Sequence, residues 1–506
     1  MRRLSVLLAS AAFGAALAAA PASAQESEAQ RCALAGDVSA LGATEASAHW
    51  VAADAAAKLP AYCEVRAILS PVPESRIGVV YRLPAGWNGK LLGLGGGGWA
   101  GNVTLAAAAE GLKAGYATAQ TDGGHPSTGP WDTDWTKAPE AVTDFAWRAI
   151  NRMTVAGKAL IKGYYGRPQS RAYFQGCSTG GRMALMEAQR FPEDYDGIIA
   201  GAPVYSLQVQ TSAILRNNGF SSGGFSEAQL GLVNASVLKA CDATDGALDG
   251  VIAQPRACKW DPTVLQCKPG QSGASCLSAG QMRALRTMYA GVRAPDGSWA
   301  QFPLSKGGEL GWGRFINIAG TGNTNANGGG MPGLSHLLFG ARSVDFNRLD
   351  PKTDVPEARA SAFAKAYEAT KADLSGFFAR GGKLILWHGE SDPGPSPVGS
   401  LDYAKAVSRT NGPTAAKSLR TYMLPGVEHC RGGPGADLVD WLGTLDRWVN
   451  EGQAPATLKA TRADGTRSRP VCVWPQIARH DGKGDPAEAA SWHCAAPDKE
   501  ESEPAR

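Results

Sequence analysis

The chain has 506 residues, 44% of them hydrophobic, and a formal net charge of +4 from 50 Lys plus Arg against 46 Asp plus Glu. So small an excess over such a length excludes a dedicated nucleic-acid binder, which needs a strongly basic face. Sixty-three glycines and thirty-one prolines accompany fourteen tryptophans, so they mark tight turns and long loops rather than disorder, and the length implies a large domain with an insertion or a second domain.

Met1-Arg2-Arg3 precedes a run from Leu4 to Ala20 that is nearly free of polar residues and closes on Ala22-Ser23-Ala24. This is the form of a secretory signal peptide, residues 1–24, cut after Ala24, and it predicts a secreted or periplasmic protein. A membrane anchor is the alternative, disfavoured because the run is short, Ala-rich and ends in a processing site. No later apolar run reaches spanning length, so no membrane span is expected. All ten cysteines follow the signal: Cys32, Cys63, Cys177, Cys241, Cys258, Cys267, Cys276, Cys430, Cys472 and Cys494. An even count in an exported chain reads as disulfides, with Cys32 and Cys63 forming a local staple. No C-x-x-C pair offers zinc-site spacing.

Residues 25–70 read as mixed scaffolding with Ala-rich helical stretches. Ile77–Leu83 and Lys90–Leu94 read as strands, the second ending in Gly95-Gly-Gly-Gly-Trp-Ala-Gly101. A glycine cluster straight after a strand lets backbone N–H groups face an anion, and Lys-Ser/Thr of a nucleotide loop is missing. A flexible loop is the plainer reading. Gly115–Asp122 is another strand. From Pro139 to Gly163, Val142, Phe145, Ala146, Ala149, Ile150 and Met153 recur at helical spacing and predict one long amphipathic helix.

Arg171–Cys177 runs as a strand into Gly176-Cys177-Ser178-Thr179-Gly180, followed by the helix-forming Met183–Arg190. G-x-S-x-G between strand and helix exposes a serine hydroxyl on a sharp turn; a plain turn serine is the alternative. Tyr195–Ala200 adds a strand. Alternating strands and helices predict an α/β fold with a mostly parallel sheet covered on both faces. The alternation breaks from about 205 to 375, a loop-rich insertion with four cysteines and the Gly/Asn tract 320–331. It resumes at Lys383–His388 and Ser418–Leu424, followed by a helix from Ala436 to Asn450 and a tail past 455. The chain therefore divides into a first core part at 25–204, an inserted lid at 205–375, and a second core part with its tail at 376–506.

A serine nucleophile needs a base, and the base needs an acid to fix its tautomer. His429 follows the strand ending at Leu424, and Asp392 follows the strand ending at His388; the order Ser178, Asp392, His429 is that of the α/β-hydrolases. Asp122 and Asp144 precede the serine and read as a turn residue and a helix-surface residue. Cys177 precedes the nucleophile and Cys430 follows the base, so a bridge between them would lock the pair together. Backbone N–H groups of Thr179 and of Gly97 or Gly98 are the candidate oxyanion donors, each worth about 3 kcal/mol of barrier. In the insertion, Cys241–Ile252 carries Asp242, Asp245 and Asp249 around two glycines, a turn able to wrap oxygens around a hard cation. The spacing is not that of an EF-hand, and an acidic surface turn is the alternative.

Together these residues resemble the tannase/feruloyl esterase family. The resemblance rests on Gly176-Cys-Ser-Thr-Gly-Gly-Arg182, on Asp392 after His388-Gly389, and on Pro425-Gly426 with His429-Cys430 and Gly432-Gly-Pro-Gly435. The tail residues Arg469-Pro-Val-Cys472 and Ser491-Trp-His-Cys494 match as well. It implies an α/β-hydrolase core with a lid between the strand near 200 and that near 383, and suggests disulfides Cys177–Cys430, Cys241–Cys258 and Cys472–Cys494, with Cys32–Cys63 and Cys267–Cys276 as the remainder. It implies a structural calcium held by Asp242, Asp245 and Asp249 with the carbonyls of Ala247 and Val251. The substrate it implies is a small ester of an aromatic acid: feruloyl or cinnamoyl, galloyl, or a terephthalate half-ester. A serine peptidase and a non-catalytic binding module remain as rivals, and the oligomeric state is not legible. Trp312, Arg314, Phe315, His336, Leu338, Phe339 and Arg342 are lid residues suited either to an aromatic-acid pocket or to the lid's own packing.

Overall fold

The computed structural model of the chain describes residues 22–36, 42–316 and 330–502. The signal segment up to residue 21 and the Gly/Asn tract up to residue 329 lie outside the described residues; the first described helix is Ala22–Leu34.

Among the described residues nine strands form the central sheet: β1 (Ala43–Val51), β2 (Tyr62–Leu69), β3 (Ile77–Pro84), β4 (Lys90–Leu94), β5 (Ala117–Thr121), β6 (Arg171–Cys177), β7 (Gly197–Gly201), β8 (Lys383–Gly389) and β9 (Leu419–Leu424). Their spatial order is β1-β2-β3-β5-β4-β6-β7-β8-β9. From β5 to β9 all neighbours are parallel, while β1, β2, β3 and β5 pair antiparallel at one edge. Strands buried on both faces read as continuous apolar runs. Successive residues part between two cores: Leu91, Phe174, Ile198 and Leu384 join one, Leu92, Tyr173, Ile199 and Ile385 the other. The expected α/β-hydrolase layout is present.

Three local readings are corrected. The Ala-rich helical stretches expected before residue 70 give way after Leu34 to β1 and β2, because cross-strand pairing from Ala43↔Leu69 to Val51↔Tyr62 overrides even the high helix propensity of alanine. The helix from Pro139 is not uniform: Pro139–Thr143 is α, Asp144–Arg148 winds as a π-turn, and Ala149–Tyr165 is α again. The extra residue of a π-turn advances the phase of the helix, and Asp144 lies inside rather than on the surface, 1% exposed and bonded to Ser75 (2.8 Å) and Arg148 (2.5 Å). The last core helix begins at Trp441, capped by the Asp440 carboxylate accepting Gly443 N–H, because Leu438–Val439 pairs with Ala460–Thr461 instead.

Among the described residues between Gly201 and Lys383 no strand joins the central sheet. This insertion has its own core, including Phe225, Val237, Leu285 and Trp312, stapled by Cys241–Cys258 and Cys267–Cys276. Its helix Leu207–Gly223 instead sends Leu207, Val209 and Ile214 into the core of the sheet, which fastens the insertion over the strand ends. Cys32–Cys63, Cys472–Cys494 and Cys177–Cys430 complete the five expected disulfides.

Candidate active site

β6 delivers the chain to Ser178, whose φ of 63° and ψ of −125° are costly for a residue with a side chain. The surroundings enforce that turn. A Cβ on Gly176 would stand 2.4 Å from the Gly180 backbone, and one on Gly181 2.4 Å from the Gly201 oxygen. The glycines flanking the serine are thus steric requirements. Ser178 N–H donates to Gly201 O (3.0 Å) and its carbonyl accepts Val204 N–H (3.1 Å), so the turn is pinned to the end of β7. Helix Thr179–Arg190 starts at once, presenting its positive dipole end beside the hydroxyl.

Asp392 and His429 meet as expected: His429 Nδ1 lies 2.7 Å from Asp392 Oδ2. Asp392 is 2% exposed. Burial pushes its carboxyl up, but the electrostatic attraction of His429 and the hydrogen bonds of His388 and His429 outweigh that and hold it down to about 2. A carboxylate whose folded value is depressed contributes stability present above its unfolded value and lost as pH falls through the folded one. Asp392→Asn should therefore lower unfolding free energy by about 2 kcal/mol at pH 7, and the deficit should shrink as pH approaches 2. Urea melts of both proteins at pH 7 and pH 3 check this.

The Cys177–Cys430 disulfide joins residues 253 apart in sequence at a Cα separation of 6.0 Å, and Ser178 and His429 line one cleft. Among the described residues the Ser178 hydroxyl has no hydrogen-bond partner; catalytic contacts of this kind often tighten only when substrate is bound. The Phe315 ring meets the His429 ring edge-to-face at 5.0 Å. Thr179 Oγ1 donates to Gly98 O (2.7 Å), tying the helix start to the glycine loop. In that loop Gly95, Gly96, Trp99 and Ala100 N–H groups have protein acceptors. Among the described residues no protein acceptor takes the N–H of Gly97, Gly98 or Thr179.

The cleft has two lobes meeting at Ser178 and His429. One is walled by Trp99, Trp131, Val204, Val209, Ala213 and Phe315 with Gln210. The other carries more polar groups, among them Asn102, Asp122, His125, Ser127 and Thr128. Asp122 follows β5, accepts the N–H groups of Gly78 (3.0 Å) and Gly124 (2.7 Å), and is pushed by burial up to about 7. Of the seven lid residues considered from sequence, only Phe315 reaches the cleft. Trp312 packs in the insertion's core, and Leu338 and Phe339 join the main one. His336 bonds Thr136 O. Arg314 pairs with Glu428 (3.2 Å), and Arg342 with Asp354 (2.8 Å) and Glu357 (2.7 Å), so neither arginine is turned to a substrate.

The acidic loop stands apart from the cleft. Asp242 accepts N–H groups of Asp249 and Gly250, Asp245 that of Ala247, and Asp249 that of Val251. Burial raises Asp242, and burial with the charges of Asp249 and Asp242 pushes Asp245 up to about 7. Asp249 is paired with Arg469 and Arg467, and among the described residues no three carboxylate, histidine or cysteine side chains stand in metal-ligating geometry. The donor set nonetheless fits a hard cation: all oxygen, with Asp242 and Asp245 buried and without a salt-bridge partner among the described residues.

Residues 63–495 match the family described as tannase and feruloyl esterase. The chain belongs to that family. An uncharacterized esterase of Xanthomonas campestris pv. campestris is 34% identical over 495 residues, spanning 86% of this chain and 84% of that one. The mono(2-hydroxyethyl) terephthalate hydrolase of Piscinibacter sakaiensis is 32% identical over 532 residues, spanning 87% and 86%. The crystal structure of feruloyl esterase B from Aspergillus oryzae superposes with a TM-score of 0.80 at 26% identity, covering 92% of this chain and all of that one. This tannase and feruloyl esterase family member is a carboxylic ester hydrolase. None of its described helices is long and apolar enough to cross a membrane, and five disulfides suit an oxidising compartment.

Sequence reasoning missed most of the cleft wall. Trp99, Trp131, Val204, Gly394 and Pro395 come from loops around the sheet's end, and Val209, Gln210 and Ala213 from the insertion's first helix. Two of them carried a signal: Trp99 follows the glycine loop after β4, and Val204 follows β7, positions where α/β sheets build their sites.

Proposed function

We propose that this esterase hydrolyses esters of aromatic acids through a Ser178–His429–Asp392 triad and an acyl-enzyme. The observation that carries the reading is the His429–Asp392 pair at 2.7 Å in the same cleft as a serine held on a strained turn. His429 Nε2 takes the Ser178 proton as Oγ attacks the ester carbonyl, and Asp392 holds Nδ1–H and offsets the imidazolium charge. The unengaged N–H groups of Thr179 and of Gly97 or Gly98 receive the oxyanion. His429 gives its proton to the departing alcohol, then activates the water that releases the acid.

The lobe walled by Trp99, Val204, Val209 and Ala213 suits an aromatic acyl group, and the more polar lobe an alcohol. Relatives named for feruloyl esters and for a terephthalate half-ester support the same class. Feruloyl or cinnamoyl, galloyl and terephthalate half-esters are the candidates. A panel of methyl ferulate, methyl gallate, mono(2-hydroxyethyl) terephthalate and a peptide anilide decides: turnover of at least one ester is expected and none of the anilide, whereas cleavage of the anilide alone would sink the esterase reading. Residues 1–24 are the export signal in this reading, and residues 205–375 form the lid.

The loop 242–251 is read as a calcium site, with Asp242, Asp245 and Asp249 carboxylates and Ala247 and Val251 carbonyls as ligands. Its role is structural, since the loop does not line the catalytic cleft. Calcium that binds only the folded chain raises its stability by mass action. Removing it with EGTA is expected to lower the melting temperature by several degrees while changing room-temperature turnover less than about two-fold. An unchanged melting temperature would count against the site.

A further inference from the structure

Asp392 has a second histidine. His388 Nε2 lies 3.2 Å from the same Oδ2 atom that His429 engages, and 3.0 Å from Pro395 O, while its Nδ1 lies 2.7 Å from Ser400 Oγ. His388 is 0% exposed and Ser400 1%. Facing two acceptors, Nε2 must carry the ring proton, and Nδ1 then accepts the Ser400 hydroxyl; both nitrogens are satisfied by a neutral ring. The ring sits on a rigid base: His388 lies near the end of β8 in register with Met423 of β9, and Ser400 belongs to the helix Pro397–Asn411. The other carboxylate oxygen accepts Gly394 N–H (2.8 Å), and Gly394 O is in turn held by buried Arg216 of the insertion (2.5 Å).

A carboxylate's terminal torsion is soft and roughly two-fold, so a single donor on each oxygen leaves its tilt toward the base poorly fixed. We infer that His388 is a positioning residue of the reaction, holding Asp392 Oδ2 at the angle and distance that His429 Nδ1–H requires. The inference rests on the triad reading above. His388 touches neither substrate nor Ser178; it acts through Asp392, and Ser400 fixes its tautomer and orientation.

Two near-isosteres separate its two nitrogens. In His388→Gln the amide nitrogen is as many bonds from Cβ as Nε2, so the donor to Asp392 survives and the Ser400 contact is lost. In His388→Asn the amide oxygen, as many bonds from Cβ as Nδ1, replaces it as acceptor of the Ser400 hydroxyl, so that contact is kept and the donor to Asp392 is lost. With a 4-nitrophenyl ester as probe, kcat of His388→Asn is expected to fall about 10- to 100-fold with KM within about two-fold, the size of losing a hydrogen bond to a charged group. His388→Gln should stay within about five-fold of wild type, whatever the order of the two melting temperatures. Wild-type kcat in His388→Asn, or equal losses in both variants, would overturn the inference. Should His388→Asn not fold, Ser400→Ala keeps the ring but frees it: kcat a few-fold lower at unchanged KM supports the role, and an unaltered kcat overturns it. A fluorophosphonate probe run beside these assays separates the two levels. Wild type unlabelled at Ser178 means the triad reading has failed, whereas labelled wild type with an undiminished His388→Asn means only this inference has.

Discussion

Ser178→Ala is expected to lower kcat by about 10⁵- to 10⁶-fold while leaving the fold intact, because it removes the hydroxyl that shares the cleft with His429. The loss has a distinctive residue. The N–H groups of Thr179 and the glycine loop, and the walls of the cleft, are untouched by the substitution, so turnover should settle at roughly 10³-fold above the uncatalysed rate rather than at zero. Asp392→Asn should cost about 10⁴-fold, since the amide leaves His429 free to take the wrong tautomer. Fluorophosphonate labelling read by mass spectrometry gives the matching observation: one adduct on Ser178 in wild type, none in the variant. A Ser178→Ala protein that keeps more than about one per cent of wild-type turnover would remove Ser178 from the mechanism.

Opening the Cys177–Cys430 bridge by replacing both cysteines with alanine should cost both stability and rate. The bridge closes a loop of 253 residues, for which the chain-entropy account gives about 5 kcal/mol, with 2–4 kcal/mol typical of measured cases. Its kinetic effect follows from the backbone on either side. Ser178 and Cys430 both hold φ near +63°, a conformation that residues with side chains keep only when their surroundings impose it. Released from each other, the two turns relax, and a shift of about 1 Å between nucleophile and base is enough for roughly a hundred-fold loss. Melting temperature and kcat at 25 °C, measured on the same preparation, separate the two effects. A double variant that melts earlier but turns over at the wild-type rate would leave the bridge a stabiliser without a locking role.

The readable parts of the site were those whose chemistry is written into a few adjacent residues. Gly176, Gly180 and Gly181 had to be glycine because a Cβ at any of them meets backbone within 3 Å, so the serine turn was legible as a pattern. Asp392 and His429 were legible because each follows an apolar strand, and strand ends of a parallel sheet converge on one edge. Asp144 was misplaced because a single π-turn, which periodicity does not betray, rotates it inward. Sequence left the arginines of the insertion open between a substrate role and lid packing for a related reason. Arg314 and Arg342 suit a substrate carboxylate by type, but Glu428, Asp354 and Glu357 reach them first in the folded chain.

With the family resemblance supplying the five disulfide pairs, the sequence by itself determined the alternation of strands and helices in the core from Ile77 onward, the serine turn, and the places of Asp392 and His429 after strand ends. These depend on local torsional preference, on hydrophobic period and on spacing along the chain, all of which survive in one dimension. Only the tertiary structure decided which side chains wall the cleft, that its two lobes differ in polarity, and that His388 shares the carboxylate of Asp392. Such contacts join residues from distant segments, and close packing, not local preference, selects which neighbour each one meets.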